Sequence, residues 1–244
     1  MLYRLLKDHP EQAIYIIYFS LEIGSEMLLS KLMALYIGEE FGVYLTVNDI
    51  LSFESPLSDE YYEYLKQAKA WIDQIKNRLI ILDDGLCART LYSKIHKIFE
   101  KLGRIDESSG RKRFIPNDPN LKVFSVFDHL ALVRPEEGRT LKQEIDLCSS
   151  YIVTLKRFYP LSAFALIQQN RDSSSVERRK MDLSEPGIND TKDSNAPAQD
   201  CDVLMQLFYP AREKLPTYRD YRIFGQNSFG SRFRSVILSK ILEN

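Results

Sequence analysis

The sequence has 244 residues, of which 44% are hydrophobic and 27% are charged. This composition is typical of an ordinary globular protein with enough apolar residues for a sizeable core. Its 33 Lys and Arg balance 34 Asp and Glu, so the net charge is only -1. A general basic field for nucleic acid is therefore excluded, and any such partner must be held by local patches.

Cysteine spacing and hydropathy limit the class of protein further. Cys87, Cys148 and Cys201 are far apart and lack CxxC spacing, which indicates neither a zinc site nor a disulfide framework. No apolar run reaches the ~20 residues that span a bilayer. We therefore expect a cytoplasmic protein without a membrane partner.

The predicted elements alternate between apolar strands and amphipathic helices. Strands are predicted at residues 13–19, 79–82, 123–127, 162–167, 203–208 and 233–238. Helices are predicted at residues 2–7, from Met27 to a glycine at 38 or 42, and at residues 58–77, 90–102 and 140–159. This alternation predicts βαβ units and a mainly parallel sheet in one α/β domain over residues 1–244. The polar stretches 103–120 and 172–199 predict mobile loops.

Polar residues follow four of the predicted strands. Glu22 follows the first, Asp83 and Asp84 the second, Asp128 the third and Gln168 the fourth. In open α/β sheets, ligands bind at the carboxyl ends of the strands. Carboxylates there can hold Mg²⁺ through water or orient an attacking water, and a glutamine can contact a γ-phosphate. The pattern indicates a nucleotide-hydrolysing edge, although polar residues also collect at strand ends for structural reasons alone.

The phosphate-binding part of such a site is absent from the sequence. No GxxxxGK[ST] motif occurs in the 244 residues. Residues 225–231, GQNSFGS, have the glycine spacing but no lysine, and they predict a plain loop. The three histidines, at positions 9, 96 and 129, have no partner pattern and are interpreted as structural.

Several segments, taken in chain order, resemble the RecA-like motor domain of DnaB-family hexameric replicative DNA helicases. Residues 19–34, FSLEIGSEMLLSKLMA, resemble the segment that follows the family's P-loop strand and helix. The family's Walker B strand is similar to VFSVFDHLALV, and its sensor strand to the end of EIDLCSSYIVTLKRFYPLSAFALIQQNR. Its DNA-facing loop resembles DTKDSNAPAQDCDVLM. The resemblance covers residues 14–238 and implies a RecA-like fold without the P-loop strand and helix.

The resemblance implies roles for the nucleotide-facing residues. Glu22 corresponds to the catalytic glutamate that polarises water, and Asp128 to the Walker B aspartate that holds Mg²⁺ through water. From pattern alone, the pair Asp83 and Asp84 is the better metal candidate, but family order places it on a neighbouring structural strand. Gln168 corresponds to the glutamine that couples the γ-phosphate to the DNA loop. Asn170 and Arg171 continue this nucleotide-facing motif, and Lys240 matches the lysine of the family's hairpin, which reaches the nucleotide of the neighbouring subunit.

The resemblance also implies contacts with single-stranded DNA. Lys192, Asp193 and Asn195 match the loop that follows the DNA backbone, where the family uses mostly main-chain donors. Arg134, in the loop after the Walker B-like strand, is a further candidate.

The implied function is ATP-dependent DNA unwinding by a hexameric ring in a bacterial or phage-infected cell. ATP and Mg²⁺ are the implied cofactors, and a primase or loader is an implied partner. The family's P-loop lies upstream of residue 1, and Leu242 stands where its hairpin arginine would be. A fragment, a split gene or a degenerate copy explains both departures, and we expect the chain alone to bind ATP poorly. The alternatives are a non-enzymatic module that binds helicase subunits or single-stranded DNA, and a RecA-like recombinase or repair ATPase.

Overall fold

The computed structural model describes residues 2–53, 56–108, 110–170 and 185–241. The strands are, in chain order, β1 (Ile14–Ser20), β2 (Leu79–Leu82), β3 (Gly103–Asp106), β4 (Arg113–Pro116), β5 (Lys122–Asp128), β6 (Leu161–Ala165), β7 (Val203–Phe208), β8 (Thr217–Tyr218), β9 (Tyr221–Arg222) and β10 (Ser235–Ile241). The helices are α1 (Leu2–Asp8), α2 (Ser25–Phe41), α3 (Val47–Ile50), α4 (Asp59–Ile75), α5 (Ala88–Leu102), α6 (Leu141–Phe158) and α7 (Ala196–Asp200).

A four-stranded sheet, with strand order β2–β1–β5–β6, carries the candidate site. All of its strand pairs are parallel. β1 is central, and its residues alternate between two apolar layers because successive side chains point to opposite faces. Such double burial accounts for the unbroken apolar run in its sequence. The predicted α/β fold with a parallel sheet flanked by helices is confirmed.

The two faces of this sheet are covered by different helices. On one face, Ile16 packs in a cluster with residues of α1 and α4, including Trp71, whose ring stacks on Tyr36 of α2 at 5.2 Å. On the other face, Ile17 and Phe19 join the larger core formed with α5 and α6. Helices α4, α5 and α6 therefore each bury an apolar stripe, as their sequence periodicity predicts.

Helix α2 ends at Gly42, the second of the two predicted glycines. Gly42 has φ +68°, and its N–H donates to the Gly38 carbonyl at 3.2 Å. This left-handed conformation favours glycine because it has no Cβ. The end of α2 is therefore encoded in the sequence.

The loop predicted over residues 103–120 is wrong in part. The structure has the antiparallel hairpin β3–β4 there, in which Gly103 pairs with Pro116. A Cβ on Gly103 would meet the Ile115 carbonyl oxygen at 2.4 Å, so the hairpin requires glycine at this position. Phe114 supplies the anchor, because its ring is buried against Phe99 at 5.4 Å. One buried residue in a polar hairpin gives too little periodicity to predict strands.

A second, antiparallel sheet is formed by β7 and β10. β7 has the predicted bounds, whereas the sixth predicted strand is displaced to Ser235–Ile241. The predicted 172–199 loop is wrong at its end, where α7 forms, and residues 171–184 lie outside the described residues. Residues 225–231 follow the short β8–β9 hairpin and include a 3₁₀ turn at Gly230–Arg232. Within the described part of the chain, no helix has the length and apolarity to cross a bilayer.

Candidate functional site

The strand ends β1, β5 and β6 bring three predicted site residues to one edge of the sheet. Ser20 and Asp128 pair in register, and the Leu21 N–H donates to the Asp128 carbonyl oxygen at 2.9 Å. Glu22 therefore lies just beyond the end of β1, beside the end of β5. Gln168 follows β6, the neighbour of β5. This is the carboxyl edge at which open α/β sheets bind ligands.

Tyr18 fixes one oxygen of the Asp128 carboxylate. Its hydroxyl donates to Asp128 Oδ2 at 2.9 Å. Burial, followed by this hydrogen bond, raises the pKa of Tyr18. Tyr18 is not among the site residues predicted from the sequence. Its signal is the alternation within β1, which places Tyr18 on the same face of the sheet as Ser20, the register partner of Asp128.

The Glu22 side chain is exposed beyond β1. Within the described ranges, no hydrogen bond or ion pair engages its carboxylate. The turn that carries it is held by Ser20, whose hydroxyl donates to the Ile23 carbonyl at 2.6 Å. An exposed carboxylate on a backbone turn that is held in place can accept a hydrogen bond from a reacting water.

Asp83 and Asp84, the alternative metal candidates, are engaged by the protein itself. Asp83 Oδ2 accepts from the Ser25 N–H at 2.9 Å, at the first residue of α2. Backbone and side-chain hydrogen bonds from Ser25 lower the pKa of Asp83. Asp84 forms an ion pair with Lys94 at 2.8 Å. These contacts favour Asp128 over the Asp83 and Asp84 pair as the metal carboxylate.

A chain of polar contacts, here called the polar relay, joins His129, Gln168 and Lys192. His129 directly follows Asp128, and its Nε2 accepts from Gln168 Nε2 at 3.2 Å. On the other side, the Lys192 N–H donates to the Gln168 carbonyl at 2.8 Å, and Lys192 Nζ lies 3.5 Å from Gln168 Oε1. His129, interpreted from sequence as merely structural, thus connects the end of β5 to Gln168.

The chain after β6 is tied directly to the loop that carries Lys192. The Asn170 N–H donates to the Asp190 carbonyl at 2.7 Å, and Gln169 forms an isolated β-bridge with Thr191. These backbone contacts make the strand end and the loop one unit. Arg171, predicted to continue this motif, lies outside the described residues.

The predicted DNA loop has an exposed tip and a fixed base. Lys192 and Asp193 are exposed, and Asp193 has φ +68°. Asn195 instead accepts a hydrogen bond from the Thr191 hydroxyl. At the base, the buried Ser194 hydroxyl donates to Asp146 of α6. Only the tip is therefore available to a ligand.

Two predicted site residues, Arg134 and Lys240, have contacts away from Glu22 and Asp128. The Arg134 guanidinium lies against Gly85, after β2, where an added Cβ would be 2.7 Å from it. In the strand order, β2 and β6 are the opposite outer strands, so Arg134 is separated from the polar relay. Lys240 Nζ donates to the Gln199 carbonyl of α7. The described contacts do not bring either residue beside Glu22 or Asp128.

The chemistry of Asp128 suits Mg²⁺ held through water. Mg²⁺ usually keeps several waters and binds one or two carboxylates together with substrate phosphates. Asp128 presents one carboxylate oxygen beyond that bonded to Tyr18. The described residues contain no group of three or more His, Cys, Asp or Glu that could enclose a metal. The fit is therefore to a metal shared with a bound phosphate, although the sequence lacks the loop that would hold that phosphate.

Comparison with solved structures shows which known fold this chain has. Neither a protein-family model nor a curated protein sequence matches this chain. The solved structures that match include a DnaB-like replicative helicase, described with its interactions with primase, and a second protein described as an ATPase domain. Each of these two has a TM-score of 0.64 and 19% sequence identity over 93% of this chain.

The fold is that of a DnaB-like helicase ATPase domain. The chain spans 46% of the DnaB-like helicase and 67% of the second protein's ATPase domain. About a third of that ATPase domain therefore has no counterpart here. In this DnaB-like fold, Glu22, Asp128 and Gln168 lie at the ligand edge of the sheet.

Proposed function

We propose that the chain is part of the motor of a DnaB-type replicative DNA helicase. In this motor, ATP hydrolysis between the subunits of a hexameric ring drives movement along single-stranded DNA. The observation that supports the proposal best is the polar relay. It links the strand that ends in Asp128 to an exposed loop tip through Gln168, so that a change at one end alters contacts at the other.

Three side chains act at the nucleotide end. Glu22 accepts a hydrogen bond from the attacking water and orients it, since its carboxylate is exposed without a described partner. Asp128 keeps one oxygen on Tyr18, and its other oxygen would hold Mg²⁺ through water. A bound Mg²⁺ would supply charge neutralisation at the phosphates. The phosphates themselves need a glycine-rich cradle, which these 244 residues lack.

At the nucleic-acid end, Gln168 contacts both His129 and Lys192. A nucleotide that withdraws the Gln168 amide from His129 changes its contact with Lys192 and thereby moves the tip. The exposed Lys192 side chain and the tip's backbone donors contact DNA phosphates. Primase is a proposed partner of the intact ring, because the DnaB-like neighbour was described with primase.

A second candidate function is a non-enzymatic module that binds helicase subunits or single-stranded DNA. It is favoured by the apolar side chains exposed on β7 and β10. A RecA-like recombinase has no observation in its favour beyond the shared type of fold.

ATP turnover with single-stranded DNA tests the proposal. We expect no measurable turnover from the purified chain alone. We expect turnover when it is co-purified with a polypeptide that carries a GxxxxGK[ST] strand and helix. In that complex, Glu22→Gln should lower the turnover number at least ~100-fold, since the base is lost while size and fold are kept.

The matched control is Glu26→Gln, because Glu26 is also exposed but lies in the first turn of α2. It should leave turnover unchanged. Gln168→Ala should reduce the stimulation of turnover by DNA more than it reduces the basal turnover. A complex whose turnover survives Glu22→Gln would contradict the enzymatic proposal, and DNA binding without any turnover would favour the second candidate.

A further inference from the structure

The segment between β7 and β10 presents a surface that the proposed function does not use. We call it the aromatic–arginine surface and define it by Tyr221, Arg222, Phe224, Phe229 and Arg232. All five side chains are exposed, and the three rings are between 44% and 58% accessible. Contiguous exposed apolar patches on a protein surface mark interaction sites.

The rings are held by a fixed scaffold. Tyr221 lies 5.5 Å from Phe229 at a steep angle, and both contact the half-buried Phe233 at 5.0 and 5.7 Å. The Phe229 N–H donates to the Arg222 carbonyl at 3.1 Å. Ile223 is fully buried in the local cluster against which Phe233 packs. Backbone hydrogen bonds and a local core therefore fix the position of the rings. Little side-chain entropy is lost when a ligand binds to them.

The same segment is strongly basic. Residues 209–234 contain six Arg and Lys and two Asp and Glu, a net charge of +4 in a chain whose net charge is -1. Arg222 donates to the Gln226 carbonyl, and neither Arg222 nor Arg232 forms an ion pair with a carboxylate within the described residues. Their charge is available to an anionic partner.

We propose that the aromatic–arginine surface binds single-stranded nucleic acid. Unpaired bases stack on Tyr221 and Phe229, while Arg222 and Arg232 contact the phosphates. Charge complementarity selects a polyanion, and the exposed rings select one with free π-faces. Duplex bases are already stacked on one another, so a single strand is favoured. This surface contains none of the residues of the loop tip at Lys192 and requires no nucleotide, so the proposal stands even if the proposed function fails.

Fluorescence anisotropy of labelled oligo(dT), about 20 nucleotides long, tests the proposal on the full chain. We expect the double variant Tyr221→Ala/Phe229→Ala to raise the dissociation constant at least ~10-fold, because each stacked base contributes ~1–3 kcal/mol. Phe229→Trp keeps an aromatic face and should retain affinity. Tyr44→Ala is the matched control, since the Tyr44 ring is 88% exposed outside this segment and its removal should change nothing.

Two further measurements separate stacking from charge. An abasic oligonucleotide of the same length should bind the wild type and the Tyr221→Ala/Phe229→Ala variant equally. Arg222→Ala/Arg232→Ala should reduce the salt dependence of binding, because each lost phosphate contact removes ~0.7 from the slope on single strands. Lys192→Ala, which tests the loop tip of the proposed function, should not change this stacking contribution.

The proposal is overturned if the wild type does not bind oligo(dT), or if the ring variant binds as well as the wild type. Thermal unfolding of each variant shows whether a loss of binding reflects unfolding. If the alanine variant is destabilised, Phe229→Leu replaces it. That substitution keeps apolar volume but removes the stacking face, and it should still weaken binding to oligo(dT).

Discussion

At the scale of single residues, the burial of a tyrosine side chain changes the pKa of its phenol. The Tyr159 ring stacks on Phe99 at 4.1 Å, and its hydroxyl hydrogen bonds with His96 Nδ1. Burial, with smaller contributions from Tyr92 and Glu100, raises the pKa of Tyr159 to about 12. In an unfolded chain, tyrosine has a pKa of about 10. The folded state therefore holds this proton more tightly than the unfolded state.

This difference predicts a loss of stability at high pH. The stabilisation from Tyr159 is complete below about pH 10 and is lost as the pH rises towards 12, because the unfolded state ionises first. Tyr159→Phe keeps the stacked ring and removes the ionising group. We expect it to flatten the fall in the free energy of unfolding between about pH 10 and pH 12, measured by urea unfolding.

Other phenols with raised pKa values, including that of Tyr18, leave part of the fall in place. Near neutral pH, Tyr159→Phe should cost only ~1 kcal/mol for the lost hydrogen bond. Tyr44→Phe serves as the control at an exposed ring. Equal pH dependence in Tyr159→Phe and the wild type would show that this explanation is wrong.

At the scale of elements, one buried carboxylate connects the starts of α5 and α6. Glu144 of α6 is fully buried, and it accepts from the Ala88 N–H at 2.6 Å at the first residue of α5. Arg139 contacts the other oxygen at 3.2 Å. Cys87 precedes α5 without a side-chain oxygen that could cap it, so Glu144 supplies an acceptor from a different helix.

Glu144→Leu should therefore lower the free energy of unfolding by about 3 kcal/mol. The substitution leaves the Ala88 N–H buried without an acceptor and removes one of the two carboxylate partners of Arg139, which keeps its ion pair with Glu136. Chemical denaturation followed by circular dichroism measures the change. Glu137→Ala is the control, because Glu137 is an exposed neighbour and should change stability by less than about 0.5 kcal/mol. If Glu144→Leu also changed the free energy of unfolding by less than about 0.5 kcal/mol, the hydrogen bond to Ala88 would contribute little to stability.

At the scale of the whole molecule, one face of the β7–β10 sheet is apolar and exposed. Three cross-strand pairs form it: Val203 with Ile241, Met205 with Leu238, and Leu207 with Val236. Their exposed fractions lie between 47% and 66%. The opposite face includes Phe208 and Ile237, which belong to a buried cluster. Such a face favours self-association in water.

Charges placed in one pair should suppress that association. We expect Met205→Lys/Leu238→Glu to shift the chain towards monomer and to reduce binding of a hydrophobic dye, with stability within about 0.5 kcal/mol of the wild type. Light scattering after size exclusion measures the mass. Ile237→Lys, on the buried face of the same strand, should instead destabilise the chain. A monomeric wild type without dye binding would contradict the prediction.

Much of the central sheet is predictable because its signals are local. β1 and β5 are apolar runs, which indicate buried strands. Gly42 caps the end of α2 because the cap residue has a left-handed backbone conformation, which favours glycine. The β3–β4 hairpin was missed, since its stability rests on the contact of Phe114 with Phe99, which belongs to a preceding helix. The candidate site follows the same division. Glu22, Asp128 and Gln168 are visible at strand ends, whereas Tyr18 and His129 gain their roles from distant partners.

The sequence by itself determined the alternation of strands and helices and the acids at the strand ends, because each depends on neighbouring residues alone. Tertiary structure decided the rest. It paired Asp83 with α2 and Asp84 with Lys94, joined Gln168 to His129 and Lys192, and gathered the rings around Tyr221 on a basic surface. These are contacts between residues far apart in the chain, and only the order and register of the strands bring them together.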